Sequence, residues 1–366
     1  MGNFSRYSVF LEVDVMRPIA WCIALIGLPL NLFLISYTIW ESITYKFLVR
    51  NKEHRHHSMI AHKNPSVWLL FNLILCDLMG CIYIFILIIS DSFYTHYYQH
   101  IHGSSANFSL IKNAWSISVT CGIAQFLANL NLFMAATLTL CIGIDRFILT
   151  TYPHSNWKLT VKRAKIITTI SWILGVTMSV GTIIFNFAYF HLRSAYYFEF
   201  YRNLCLGEYY LTSIHSIVAF SCLGYYILAY STTAGLYTGI IWKLRKSRLI
   251  FRSQLSSTFE RRFQIVLILI ASTNIFAFFF ISTSAAVSFL NGTPTQISKF
   301  QKIITLLPYS NSVLDPLIYL IFRFHDIRSQ LHCQSPISNC LRPKVIPIVS
   351  SETKFSQNEN IVITEV

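Results

Sequence analysis

The sequence specifies an all-α fold, a seven-transmembrane helix bundle with a short amphipathic eighth helix, and three observations carry that expectation. Of 366 residues, 54% are hydrophobic and only 12% charged, whereas a soluble chain of this kind carries about a quarter charged residues. Seven apolar stretches reach the roughly 20 residues needed to cross the hydrocarbon core. The basic residues between those stretches gather on alternate loops.

The spans read from the sequence are Pro18–Ile43, Val67–Ser90, Val119–Leu149, Ile166–Phe190, Ile214–Trp242, Phe263–Leu290 and Ile303–Phe322. In lipid each backbone N–H must find its partner within its own segment, so every span is helical. A β-barrel would show alternating segments of about ten residues instead of continuous runs. One set of loops holds Lys46, Arg50, Lys52, Arg55 and Lys63, then Lys158, Lys162, Arg163 and Lys165, then the run from Lys243 to Arg262. By the positive-inside rule these loops are cytoplasmic, which places the N-terminus outside and the C-terminus inside a multi-pass plasma-membrane protein. The acceptor sequons at Asn3, Asn107 and Asn291 all fall on the outer side, as glycosylation sites must. This topology accounts for the excess of 29 Lys+Arg over 15 Asp+Glu, which in a soluble protein would suggest nucleic acid; no nucleic-acid partner is expected.

The organisation is then a short extracellular N-terminus (1–17), the transmembrane domain (18–322), an amphipathic helix (323–333) and a disordered tail (334–366). No cleavable signal peptide is expected, because the residues before Pro18 lack a basic segment, an apolar core and a small-residue cleavage site. Phe324, Ile327 and Leu331 share one face of the short helix, with Arg323 and Arg328 suited to lipid headgroups. The tail is rich in Ser, Pro and polar residues. It ends Thr364-Glu365-Val366, a carboxyl terminus able to add a strand to a PDZ domain. His54, His56, His57 and His62 in the first inner loop read as a solvated basic loop in preference to a metal site.

The nine cysteines divide by compartment. Cys22, Cys76, Cys81, Cys141 and Cys222 lie in spans and read as packing residues. Cys121 and Cys205 fall on the outer side, where oxidation is permitted; a bond between them would brace the outer end of the third span, by about 4–5 kcal/mol on the chain-entropy account. Cys333 and Cys340 are palmitoylation candidates, with free thiols the alternative.

Polar residues inside the spans point to mechanism. Asp77 sits mid-span, where a carboxylate costs roughly 2.5–3.5 kcal/mol. It should face the bundle interior, with Asn31, Asn311 and Asp315 as suitable partners and Asn131 nearby. A structural cluster and an ion or proton site both remain open. Asp145-Arg146-Phe147 closes the third span and is followed by Tyr152-Pro153; Asp beside Arg at a membrane boundary forms a local ion pair.

Asp145-Arg146-Phe147 resembles the Asp-Arg-Tyr motif of rhodopsin-like G-protein-coupled receptors, and Asp315-Pro316-Leu317-Ile318-Tyr319 resembles their seventh-helix Asn/Asp-Pro-x-x-Tyr. Asn31, Asp77, Trp172 and the pair Cys121 and Cys205 match further landmarks, so the likeness covers roughly Pro18 to Cys333. Within the family, Asp77-Leu78-Met79-Gly80, Trp115 and Leu307-Pro308-Tyr309-Ser310-Asn311-Ser312 look most like the transmembrane part of relaxin and glycoprotein-hormone receptors, here without a leucine-rich ectodomain. The resemblance implies that Asp145 restrains Arg146 at rest. Outward motion of the sixth helix would free Arg146 for the α subunit of a heterotrimeric G protein, and Tyr237 and Tyr319 would move in to support it. The resemblance also implies arrestin as a further partner. The sequence departs from the family where the sixth helix usually reads Cys-Trp-x-Pro: here it is Phe276-Ala277-Phe278-Phe279. Ala135 replaces a Ser that commonly helps hold sodium.

The resemblance also bears on the ligand. The position of the amine counter-ion is Ala128 and that of the retinal Lys is Tyr309, so neither a monoamine receptor nor an opsin is expected. Ala128, Asn129, Glu208 and Tyr309 are the candidate pocket residues. The aromatic-rich outer segments, with Tyr94, Trp115, Tyr196, Tyr201 and Tyr209 among them, suit a peptide as well as they suit interfacial anchoring. Only Asp77 and Asp315 lie deep, which leaves no polar path for a transporter, and no metal-ligand or nucleophile–base set points to an enzyme or a cofactor. The alternative to a coupling receptor is a receptor-like scavenger or scaffold.

Overall fold

The computed structural model describes residues 15–50, 65–102, 114–116, 118–152, 156–188, 204–206, 213–250, 258–290 and 303–334. Its long elements are helices: α1 (Met16–Arg50), α2 (Pro65–His102), α3 (Val119–Thr151), α4 (Val161–Ala188), α5 (Ser213–Ile250), α6 (Thr258–Leu290) and α7 (Leu307–Gln334). Five contain stretches long and apolar enough to cross a membrane, namely Met16–Thr44, Pro65–Tyr94, Val119–Thr151, Val161–Ile184 and Phe263–Phe280. Tyr, Thr and Ser dilute the apolar character of α5, and Asn311, Ser312 and Asp315 that of α7. The compact unit Met1–Arg323 holds the bundle; the unit Phe324–Val366 is described only to Gln334, as helical backbone. Residues 323–333, expected as the short amphipathic helix, are helical and continuous with the printed range of α7. Asn3, Asn107, Asn291, Glu208, Cys340, Thr364 and Val366 lie outside the described residues, and of Cys333 only the backbone is described.

Local chemistry sets the helix ends. Ser118 caps α3 by accepting from the Cys121 N–H at 3.1 Å, and the Tyr152 N–H closes it by donating to the Ile148 carbonyl at 2.8 Å; Pro153 follows, which has no N–H with which to continue. The helix α2 runs past the span read from sequence, which ended at Ser90. No Gly or Pro occurs between Ser90 and His102, so nothing stops the helix where the apolar run stops. His96, Tyr97, Tyr98 and His100 therefore lie on α2.

At the centre of the bundle, α3 packs against α2, α4, α5 and α6. A close seam joins α2, α3 and α7 at Gly80: a Cβ there would stand 2.6 Å from Ser312 Oγ and 2.9 Å from Asn131 Nδ2. At Gly27 on α1 a Cβ would collide with Cys81 Sγ. Gly80→Ala should therefore lower the melting temperature of the purified protein, at a cost of about 1–3 kcal/mol for overpacking. An unchanged transition in a fluorescence melt would contradict this.

The opposite end is closed by a buried cluster from α1, α2, α3, α7 and residues 204–205. Cys121 and Cys205 are disulfide-bonded, with Cα atoms 5.5 Å apart. Cys205 holds φ at 52°, a left-handed conformation unusual for a residue with a Cβ. The disulfide on one side and a 2.8 Å hydrogen bond from Tyr83 Oη to the Leu204 carbonyl on the other hold it there. Trp115, fully buried, meets Tyr94 edge-on at 5.7 Å. Arg17 on α1 pairs with the buried Asp91 on α2 at 2.9 Å.

Candidate functional site

Arg146 ends the buried face of α3 with only 2% of its surface exposed. A guanidinium cannot lose its charge by deprotonation, so burial at that depth requires partners. Asp145 supplies the counter-charge at 3.4 Å. Ser66, in the first turn of α2, donates to the Asp145 carboxylate and accepts from Arg146 Nε at 2.7 Å; Arg146 Nη2 also reaches Ser66 Oγ. The ring of Phe263 on α6 lies 5.2 Å from the guanidinium carbon, in a cation–π arrangement that strengthens as water is excluded. Three helices thus converge on one cation. Phe263 in turn sits against Phe322 of α7 at 6.1 Å.

Around this group, Phe147 packs beside Tyr237, Ile240 and Ala271, and closely over Gly239 on α5. Tyr237 is buried with no hydrogen-bond partner for its hydroxyl among the described residues, and Tyr319 is buried among the residues around Phe263. The end of α3 is also bound from outside itself. Lys243 on α5 donates to the Thr151 carbonyl, a cation at the negative end of the helix dipole. Gln264 on α6 donates to Thr150 Oγ1 at 3.4 Å.

Deeper in the bundle, Asp315 joins α7 to α6. Its carboxylate accepts from Asn274 Nδ2 at 2.7 Å and from Thr273 Oγ1 at 3.0 Å, while Asn311 Nδ2 donates to Asn274 Oδ1 at 3.2 Å. The residues expected as partners of Asp77 make their own hydrogen bonds elsewhere. Asn31 donates to the Ser312 and Gly27 carbonyls, Asn131 to the Cys76 carbonyl, and Asn311 to Asn274. Asp77 is buried with Oδ2 receiving no hydrogen bond among the described residues. The physical reason is that each amide finds a nearer acceptor on a facing helix, and α6 brings two donors to Asp315. The sequence signal was present in Thr273-Asn274, a polar pair inside an apolar span.

The candidate pocket residues do not share one surface. Ala128 and Tyr309 lie in the same buried outer cluster, with the Tyr309 ring tilted against Tyr83 at 4.7 Å. Asn129 instead donates to Thr182 Oγ1 on α4 at 2.9 Å; counting along α3 gave its depth and not its direction. Trp172 donates from Nε1 to Asn72 Oδ1 at 3.0 Å, tying α4 to α2. Ala277 is 2% exposed, while its neighbours Phe276 and Phe279 are exposed. Phe278 provides the aromatic contact with α5, stacking on Tyr230 at 4.5 Å.

Comparison with known proteins agrees with this arrangement. A family model described as 7 transmembrane receptor (rhodopsin family) matches residues 55–319, more than two thirds of the 366 residues. No curated protein matches the chain. The match concerns the family as a whole and leaves the narrower likeness to relaxin and glycoprotein-hormone receptors as a resemblance. With its apolar helices it identifies a multi-pass membrane protein of receptor type. The chain therefore belongs to the rhodopsin family of seven-transmembrane receptors.

Proposed function

We propose that this receptor binds an extracellular ligand, a peptide in the first instance, and activates heterotrimeric G proteins at the end of the bundle where Arg146 lies. The reading places it in the plasma membrane with its N-terminus outside, as the basic loops and sequons suggest. The observation that carries it is the enclosure of Arg146 by Asp145, Ser66 and Phe263. Of these contacts only Phe263 belongs to α6, so outward motion of α6 uncovers the cation. A ligand drives that motion only by binding the open arrangement more tightly than the closed one.

The test is ligand-stimulated nucleotide exchange on a panel of Gα subunits, with ligands found by arrestin recruitment from a peptide library. Arg146→Ala should abolish exchange while surface expression and ligand binding persist. No exchange on any subunit from the wild-type protein, with ligand bound, would reject coupling in favour of a scavenger or scaffold. One observation favours that second reading: α6 has no proline, and Thr273 and Asn274 bind it to α7.

A further inference from the structure

The apolar stretch of α2 suited to cross a membrane ends at Tyr94, while the helix continues to His102. Its last two turns therefore project about 12 Å beyond that stretch. They read His96-Tyr97-Tyr98-Gln99-His100-Ile101-His102, a run in which every second or fourth position is histidine. No Asp, Glu, Lys or Arg lies between Asp91 and Lys112, so no fixed charge within this segment attracts or repels a cation.

Contacts with neighbouring elements settle which side of α2 is covered here. Asp91 is buried and pairs with Arg17 of α1 at 2.9 Å, and Tyr94 meets the buried Trp115 at 5.7 Å. These two define the packed side. Ser92, Phe93 and His96 are exposed and define the opposite one. With 3.6 residues per turn, successive positions turn by about 100°. The position of His100 then falls within the exposed sector, between those of Phe93 and His96. That of His102 falls back on the side of Asp91. His96 and His100 are therefore a helical i, i+4 pair on the uncovered face, and the exposure of His96 shows that packing does not account for it.

We propose that His96 and His100 bind a divalent transition-metal ion, zinc in the first instance, at the outer end of α2. Residues four apart on a helix have Cβ atoms about 5–6 Å apart. Two imidazoles at that spacing reach one ion at the roughly 2.0–2.1 Å of a zinc–nitrogen bond. It is also the spacing by which the His-Glu-x-x-His motif of metalloproteases holds zinc on one helix face. Imidazole nitrogen suits zinc, copper and nickel, whereas calcium and magnesium take oxygen ligands. Among the described residues no group of three or more His, Cys, Asp or Glu could hold a metal ion, so water completes the coordination. The pair meets at one ion only while residues 96–100 are helical, because an extended chain separates the two positions by about 13 Å. Binding thus stabilises the extension of α2 beyond its apolar stretch. The proposal depends on neither G-protein coupling nor the identity of the extracellular ligand.

The experiment titrates the full-length protein, purified in detergent, with zinc chloride in competition with a zinc-sensitive dye. Calcium and magnesium chloride, in excess, should not displace the bound zinc. His96→Ala and His100→Ala should each weaken zinc binding about tenfold or more, at least the loss that follows removal of an outer-shell partner. His102→Ala, off that face, and His57→Ala, in the His-rich first inner loop, should leave it unchanged. His100→Ala combined with Ile101→His keeps the number of histidines but turns the second one away from His96, so it should not restore affinity. Zinc should raise the melting temperature of the wild-type protein and not that of His96→Ala. Four results would overturn the proposal: no zinc bound by the wild type, indifference to His96→Ala or His100→Ala, an equal loss from His57→Ala, or full recovery with Ile101→His. Melting curves recorded without zinc separate a lost ligand from a lost fold. Because no signalling is measured, a chain that fails to couple still answers the question.

Discussion

Asn274→Ala is expected to raise ligand-independent nucleotide exchange by about tenfold or more. Its Nδ2 donates to the Asp315 carboxylate at 2.7 Å, and a hydrogen bond to a charged group contributes about 1.5–3 kcal/mol. That contribution exists only while α6 lies against α7, so its loss shifts the closed-to-open balance by about ten- to a hundredfold. Thr273→Val removes the longer bond, at 3.0 Å, and should act in the same direction with a smaller amplitude. Basal exchange measured on membranes with matched surface expression is the check. If Asn274→Ala leaves the basal rate at the wild-type level, the α6–α7 contact does not govern the balance.

The contrast between what could and could not be read from the sequence follows from range. Lipid imposes its demand on each span separately, so seven helices are legible from apolar runs alone, as is the local pair Asp145 and Arg146. Helix ends are less legible, because the run that crosses the membrane and the helix that contains it stop for different reasons; α2 continues to His102. Contacts between helices were the least legible. Ser66 looks like an ordinary residue after Pro65, yet it bridges both members of the motif on α3. Asn129 lies at the depth expected of a pocket residue but turns toward Thr182. Asp315 was read as a partner of Asp77, and its hydrogen bonds to Thr273 and Asn274 on α6 were not foreseen, although that polar pair stands out in an apolar segment.

The second large effect concerns the outer end. Cys205→Ser should lower stability by about 4–5 kcal/mol, the chain-entropy value for a loop of this size, given a separation of 84 residues between the bonded cysteines. Thermal melting of the purified receptor should show the loss, and Cys121→Ser should give the same curve, since either removes the same bond. Tyr83→Phe, which deletes the hydrogen bond to the Leu204 carbonyl and keeps the ring, should cost about 1 kcal/mol. A Tyr83→Phe effect as large as that of Cys205→Ser would mean that the outer cluster, not the covalent link, holds residues 204–205 in place.

The absence of proline from α6 has a mechanical consequence. Without a built-in bend, the segment from Asn274 to Phe263 moves as a stiff rod. The eleven helical steps between them span about 16 Å along the axis. If the fulcrum is where Asn274 meets Asp315, a tilt of about 20° carries Phe263 through roughly 6 Å. The lever arm, not a hinge within the helix, then sets how wide the mouth above Arg146 opens.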